Sequence, residues 1–275
     1  MDTLIQNADH FVRQSLEIIN TNKWDSNDLA CDHIKALVRL NGYCAMLSQT
    51  IMQMLLNGVV WECEIMIRAV SEGSIKLLYI CGKPDETKAK ASEYQDELID
   101  YAYSKDSDKA AFYSENVAFV PAVQAHIYSS MGAHKVAFDK TRKERKSVEQ
   151  KWSYLEMLKE IESMNLPGLG SITALSFGYG VSSHFIHADY AAIGMIWERE
   201  SRSEEEYRLI TAAHSSRFIC DLIILAWTRT WILNRIGNGD SKAFLNFTKK
   251  MEELVEHTAQ YSKGWEEYYR VHNMP

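Results

Sequence analysis

Proline and glycine are scarce in this chain, with four and 13 in 275 residues, and they gather at breaks between long periodic segments. So few turn residues point to an all-α chain. The five cysteines, Cys31, Cys44, Cys63, Cys81 and Cys220, are odd in number and contain no C-x-x-C pair. That excludes a disulfide frame and a cysteine zinc site, and marks them as small core residues in a reducing compartment. Basic residues are in deficit, 30 against 37 acids for a net charge of −7, which argues against generic coating of a polyanion while leaving room for a local basic site. The start, MDTLIQNADHFVRQ, lacks a basic segment followed by an apolar one, so no signal peptide and a cytoplasmic location are expected.

Two greasy runs fall short of the ~20 predominantly apolar residues of a membrane span. Residues 40–61 carry no charge but show Gln49, Gln53 and Asn57 as a polar stripe, and residues 218–233 contain Asp221 and Arg229. Both read as core helices.

What is present is helical periodicity. Leu4, Ile5, Phe11, Val12, Leu16 and Ile19 form one stripe over residues 3–20. A long helix follows over 29–56, with Ser26 or Asn27 as its cap, and a second ends near Cys81. Pro84-Asp85-Glu86 restarts the chain with proline and acids in the first turn. Residues 106–131 show weak patterning, so loops and short helices are expected there. Trp152, Leu155, Leu158 and Ile161 mark a further helix, and a helix through His187 reaches about residue 198. Ser203 and Glu206 make a capping box for a long helix that Gly237 ends, and a last helix spans 241–269. The expectation is one helical domain over 1–275, a bundle of roughly 7–9 helices, with 83–151 as a charged, insertion-like layer.

Two polar ladders stand out in this apolar framework. Glu64, Arg68 and Glu72 repeat every four residues in one helix, and Tyr179, Ser183 and His187 do so in another. That spacing places each set on one helical face, and a polar group on a buried face needs a partner. The two faces are therefore expected to meet in one polar cluster. Nothing but spacing recommends Glu64. Arg68 and Glu72 also fit a simple ion pair beside the core, and His187 fits a satisfied core histidine.

Other chemistry is weaker. His184-x2-His187-x-Asp189 has the look of a metal cluster, but Glu-x-x-His, the di-iron carboxylate signature, occurs nowhere in the chain. A Ser–His nucleophile lacks its G-x-S-x-G elbow, and no glycine-rich phosphate loop is present. Five basic residues against one acid lie between Lys140 and Lys146. Arg142, Lys143, Arg145 and Lys146 make that run either a solvated face or footing for nucleic acid.

At the two ladders the chain resembles a bacterial family of all-helical domains of unknown function. Arg68 and Glu72 stand before KLLYI, Trp152 precedes the second helix, and Tyr179, Ser183 and His187 complete the pattern, over about residues 49–192. More loosely, such domains are similar to the HEPN superfamily of helical bundles, many of them metal-independent ribonucleases and toxins of phage defence. That group carries an Arg-x4–6-His motif with a polar residue after the arginine. The nearest match, Arg208 to His214, has Leu209 at that place, so the Arg68/His187 cluster would have to stand in for it.

The resemblance implies an HEPN-like ribonuclease or toxin domain, a homodimer in antiphage defence with a partner protein from the same system. No metal or cofactor is expected. Arg68 would neutralise the scissile phosphate, His187 would act as general acid or base, and Glu72, Ser183 and Tyr179 would orient them. The alternative is a non-catalytic helical sensor or interaction module, in which the same residues form a structural polar network. A third is a helical small-molecule or metal enzyme.

Overall fold

The computed structural model describes residues 1–24, 31–98, 102, 105–106, 109–113, 142–166, 174–187 and 189–273. Among these it is built from ten α-helices and one π-helical stretch, with no strand. The expected cap at Ser26 or Asn27 and most of residues 106–131 lie outside the described residues.

Helix α1 (Asp2–Asn20) buries Leu4, Ile5, Ala8, Phe11, Val12 and Ile19 along the predicted stripe. It packs on α2 (Cys31–Leu56), which packs on α3 (Cys63–Cys81). Gly58, at φ 75°, makes the turn between α2 and α3, a conformation that side chains with a Cβ resist. The two helices approach so closely that a Cβ on Gly73 would overlap the Cys44 sulfur. Four of the cysteines carry free thiols, and Cys44, Cys63 and Cys81 are buried core residues as expected.

Helix α4 (Pro84–Ser92) runs into the π-helical Glu93–Leu98 and packs on α3. Lys90, buried there, pairs with Glu160 at 2.7 Å and lies over the Tyr79 ring. The expected helix from Trp152 to Ile161 is α6 (Tyr154–Ser163), which starts where Ser153 turns extended and accepts the Glu156 N–H, and the charge-rich run before it forms a helix of its own, α5 (Arg142–Lys151). The expected helix through His187 is two, α7 (Ala174–His187) and α8 (Tyr190–Glu200). There Asp189 caps α8 by accepting from the N–H groups of Ala191 and Ala192. That split, together with α5, brings the count above the expected 7–9.

Helix α9 (Glu204–Ile236) starts at the predicted capping box of Ser203 and Glu206 and ends at Gly237. By length and composition it is long enough and apolar enough to cross a membrane. Here it packs against α1, α2, α3 and α10 (Ser241–Asn273), with Phe218, Leu222, Ala226 and Ile232 buried. Its contact with α3 carries the polar residues of interest.

Candidate functional site

The first turn of α3 places Glu64 under α7 and α9, with the residue wholly buried. Its carboxylate accepts a hydrogen bond from the Ser182 hydroxyl of α7 at 3.1 Å and another from the Arg217 guanidinium of α9. Ser182 also donates to the Gly178 carbonyl. Arg217 lies 4.0 Å from Asp221, one turn further along α9. Three helices therefore meet on one buried anion.

Burial pushes the Glu64 carboxyl above the usual carboxylate range, and Arg217, Ser182 and Arg199 pull it back. Asp221 is likewise raised, to about 6, by burial. His214 sits beside the pair, its Nδ1 3.9 Å from Glu64, but burial and then Arg217, Arg199 and Arg202 push it down to about 3. It is thus a neutral imidazole near neutral pH, and its Nδ1 is buried without a hydrogen-bond partner among the described residues.

Trp61 separates this cluster from the outside. Its ring meets His214 edge-on at 4.8 Å, while Arg199 lies over it at 3.7 Å. Beyond it opens a groove of about 430 Å³ between the start of α3, α7, α8 and the start of α9. Desolvation lowers the pKa of Arg199, and Glu64 opposes that shift.

The residues singled out by spacing fall in several places. Arg68 and Tyr179 come together: Arg68 Nη2 donates to the Tyr179 hydroxyl at 3.0 Å, and the guanidinium lies 4.5 Å from the ring centroid. Tyr179 stacks on Tyr154 at 3.7 Å. Glu72 turns the other way and pairs with Lys76 at 2.7 Å, on the wall of an 830 Å³ cleft that Lys35 and Arg39 also line. Ser183 is half-buried, and among the described residues no hydrogen bond ties it to Arg68 or Glu72. His187 is exposed and makes no such bond either. The expected single cluster of Arg68, Glu72, Ser183 and His187 is thus corrected to an Arg68–Tyr179 contact, and Glu64 is the residue with the most partners.

His184 rather than His187 has a carboxylate partner, with Nδ1 2.6 Å from Asp189 on the exposed end of α7. That hydrogen bond holds Asp189 below its ordinary pKa. Arg208 is exposed while His214 faces inward, as a six-residue separation of about 120° around a helix requires. Lys143 and Lys146 are exposed on α5. The side chains of Arg142 and Arg145 lie outside the described residues.

Ladder spacing missed Ser182, Arg199, His214, Arg217 and Asp221. One signal was available: Arg217 and Asp221 stand four apart in an apolar run, where an ion needs a mate. Residues 34–205 match the model of a family described as "Family of unknown function (DUF5677)". No curated protein and no solved structure matches the chain.

Proposed function

We propose that this chain, which belongs to that family of unknown function, is a non-catalytic helical module for sensing or interaction, with its polar cluster as internal framework. The observation behind this reading is that Glu64 is wholly buried, with donors from α7 and α9. A general acid or base must come within hydrogen-bond reach of its substrate, and Glu64 is sealed from any. A network of this kind fixes how helices cross. Arg68 fits the same role, since its Nη2 is bonded to the Tyr179 hydroxyl and its guanidinium lies over that ring.

A second reading has one observation of its own. The exposed His184–Asp189 pair fixes one ring nitrogen on a carboxylate and leaves the other facing out, next to His187 one turn on. Such a pair suits proton transfer. In that reading the domain is a dimeric, HEPN-like ribonuclease or toxin of the cytoplasm, working with a defence partner. RNA would be held by Arg142, Lys143, Arg145 and Lys146.

The two separate cleanly. The purified chain is expected to leave RNA intact, and Arg68→Ala is expected to lower the melting temperature by several degrees. RNA cleavage without added metal that disappears in His184→Ala and His187→Ala, at unchanged melting temperature, would overturn the first reading and establish the second.

A further inference from the structure

Arg199 stands apart from the other cations of this region. Arg217 bonds to Glu64, Arg202 to Glu198 and Arg68 to Tyr179. The guanidinium of Arg199 instead lies between two rings, 3.7 Å from the centroid of Trp61 and 5.2 Å from that of Phe185. The residue is only 8% exposed. Yet among the described residues it donates no hydrogen bond and has no carboxylate within ion-pair distance. None of its nitrogens is among the buried atoms left without a partner, unlike Nη1 of Arg68 and Nε of Arg217, so the rings cover its faces while its N–H edge stays open.

Those donors border the groove of about 430 Å³. Apart from Glu62 and Glu200 at its edge, its walls are apolar, from Ile65, Phe185, Ile196 and Tyr207, and three of these stay well exposed: Ile65 at 45%, Ile196 at 43% and Tyr207 at 45%. The size and lining are those of a small-molecule site, a concave and largely apolar surface with few polar groups, of which Arg199 is the one cation. Deeper in, Glu64 is already held by Arg217 and Ser182, so it does not neutralise Arg199 through a contact.

We infer that this groove binds a small apolar molecule bearing one carboxylate, with the carboxylate on the Arg199 fork and the apolar body against Ile65, Ile196 and Phe185. The planar fork matches the two oxygens of a carboxylate. A phosphate monoester fits less well. Glu62 and Glu200 are both exposed at the same groove, and their negative charge disfavours a second charge on the ligand. The stacking of Arg199 on Trp61 and Phe185 fixes the fork before the ligand arrives, which reduces the ordering cost of binding. The inference rests on reading the chain as a binding module, and it gives that module a class of ligand.

The test is calorimetric titration of the purified full chain with phenylacetate, 4-phenylbutyrate, 4-phenylbutyramide and phenyl phosphate. At least one carboxylate is expected to bind at concentrations up to roughly millimolar, with the amide and the phosphate weaker by roughly tenfold or more. Arg199→Lys keeps the charge but loses the fork, and is expected to weaken the carboxylate by roughly tenfold. Ile196→Glu, on an exposed wall where folding is not at stake, is expected to do the same.

No binding of either carboxylate, equal binding of amide and carboxylate, or unchanged binding in Arg199→Lys would each overturn the inference. Failure here alongside a structural Arg68 and no RNA cleavage removes the ligand class and leaves the module standing. Carboxylate binding through Arg199 together with His184-dependent RNA cleavage does the reverse.

Discussion

Helix α3 meets α9 over two buried ions of opposite sign, and the surroundings of the two differ. Near the start of α3, Glu64 has a cation on Arg217, a hydroxyl on Ser182 and a neutral imidazole on His214. Near its end, Arg229 of α9 is wholly buried with only neutral partners. Its Nε donates to Asn41 at 3.1 Å and its Nη1 to Ser74 at 2.8 Å, while Nη2 has none among the described residues. Burial lowers the pKa of Arg229, opposed only by the nearby Cys44. The first ion is held by opposite charge, so removing one member strands the other. The second is held by dipoles alone, so removing it strands little. Burial by itself therefore does not say how much an ion matters to the fold; its partners do.

The largest effect is expected at the first site. Glu64→Leu leaves the half-buried Arg217 guanidinium with only Asp221, 4.0 Å away, and should cost about 3 kcal/mol in chemical denaturation. Arg217→Met should cost at least as much, since Asp221 also loses its cation, and the double variant should recover part of the loss, because Glu64 is then no longer unpaired. Strict additivity in that cycle would mean that the pair is not coupled and the comparison fails.

Next comes pH. His214 is held near 3 against an ordinary 6.5, so the stability it contributes is complete above 6.5 and is lost as pH falls toward 3. Asp221 is raised to about 6 from an ordinary 3.8, so its cost is absent below 3.8 and grows as pH rises through 6. Between about pH 4 and 6 the two slopes oppose, each approaching ~1.4 kcal/mol per pH unit. Asp221→Asn removes one of them. Its stability should fall on acidification from pH 6 to 4 more steeply than that of the parent chain. Parallel curves would show that the two groups do not titrate as the buried cluster requires.

At the second site the expectation is smaller. Arg229→Met puts an apolar chain of similar reach into an apolar interior and leaves Asn41 Oδ1 without its donor, while Ser74 keeps its bond to the Val70 carbonyl. The net loss should be about 1–2 kcal/mol. A loss equal to that of Glu64→Leu would point to a counter-ion at Arg229, with the Cys44 thiol as the nearest titratable group.

Much of this architecture was legible from residue order. Periodicity located α1 and the core face of α9, and the Ser203–Glu206 box and Gly237 marked the ends of α9. One break was not seen, at Asp189. There a single capping side chain interrupts an apolar pattern that runs on across it. The polar ladders showed which helices carry interior polar residues, but not which residues meet. Glu64 has its cation on a helix some 150 residues away, and only the crossing of α9 over α3 places Arg217 there. Periodicity fixes the face a residue occupies; the partner depends on packing between helices, which local spacing does not encode.

The smallest effect bears on that same point. A strict four-residue repeat from Tyr179 selects Ser183, whereas the structure turns Ser182 toward α3. With 3.6 residues per turn, positions three and four onward straddle the same face, and the neighbouring helix decides between them. Ser182 is wholly buried and donates to both Glu64 and the Gly178 carbonyl. Ser182→Ala should therefore cost about 0.5–1.5 kcal/mol, the loss of a hydrogen bond to a carboxylate that keeps Arg217. Ser183 is half-buried, and no hydrogen bond from it reaches Glu64. Ser183→Ala should change stability by no more than about 0.5 kcal/mol. The reverse order in a denaturation series would mean that α7 is rotated by one residue against α3, and that Glu64 is not where three helices meet.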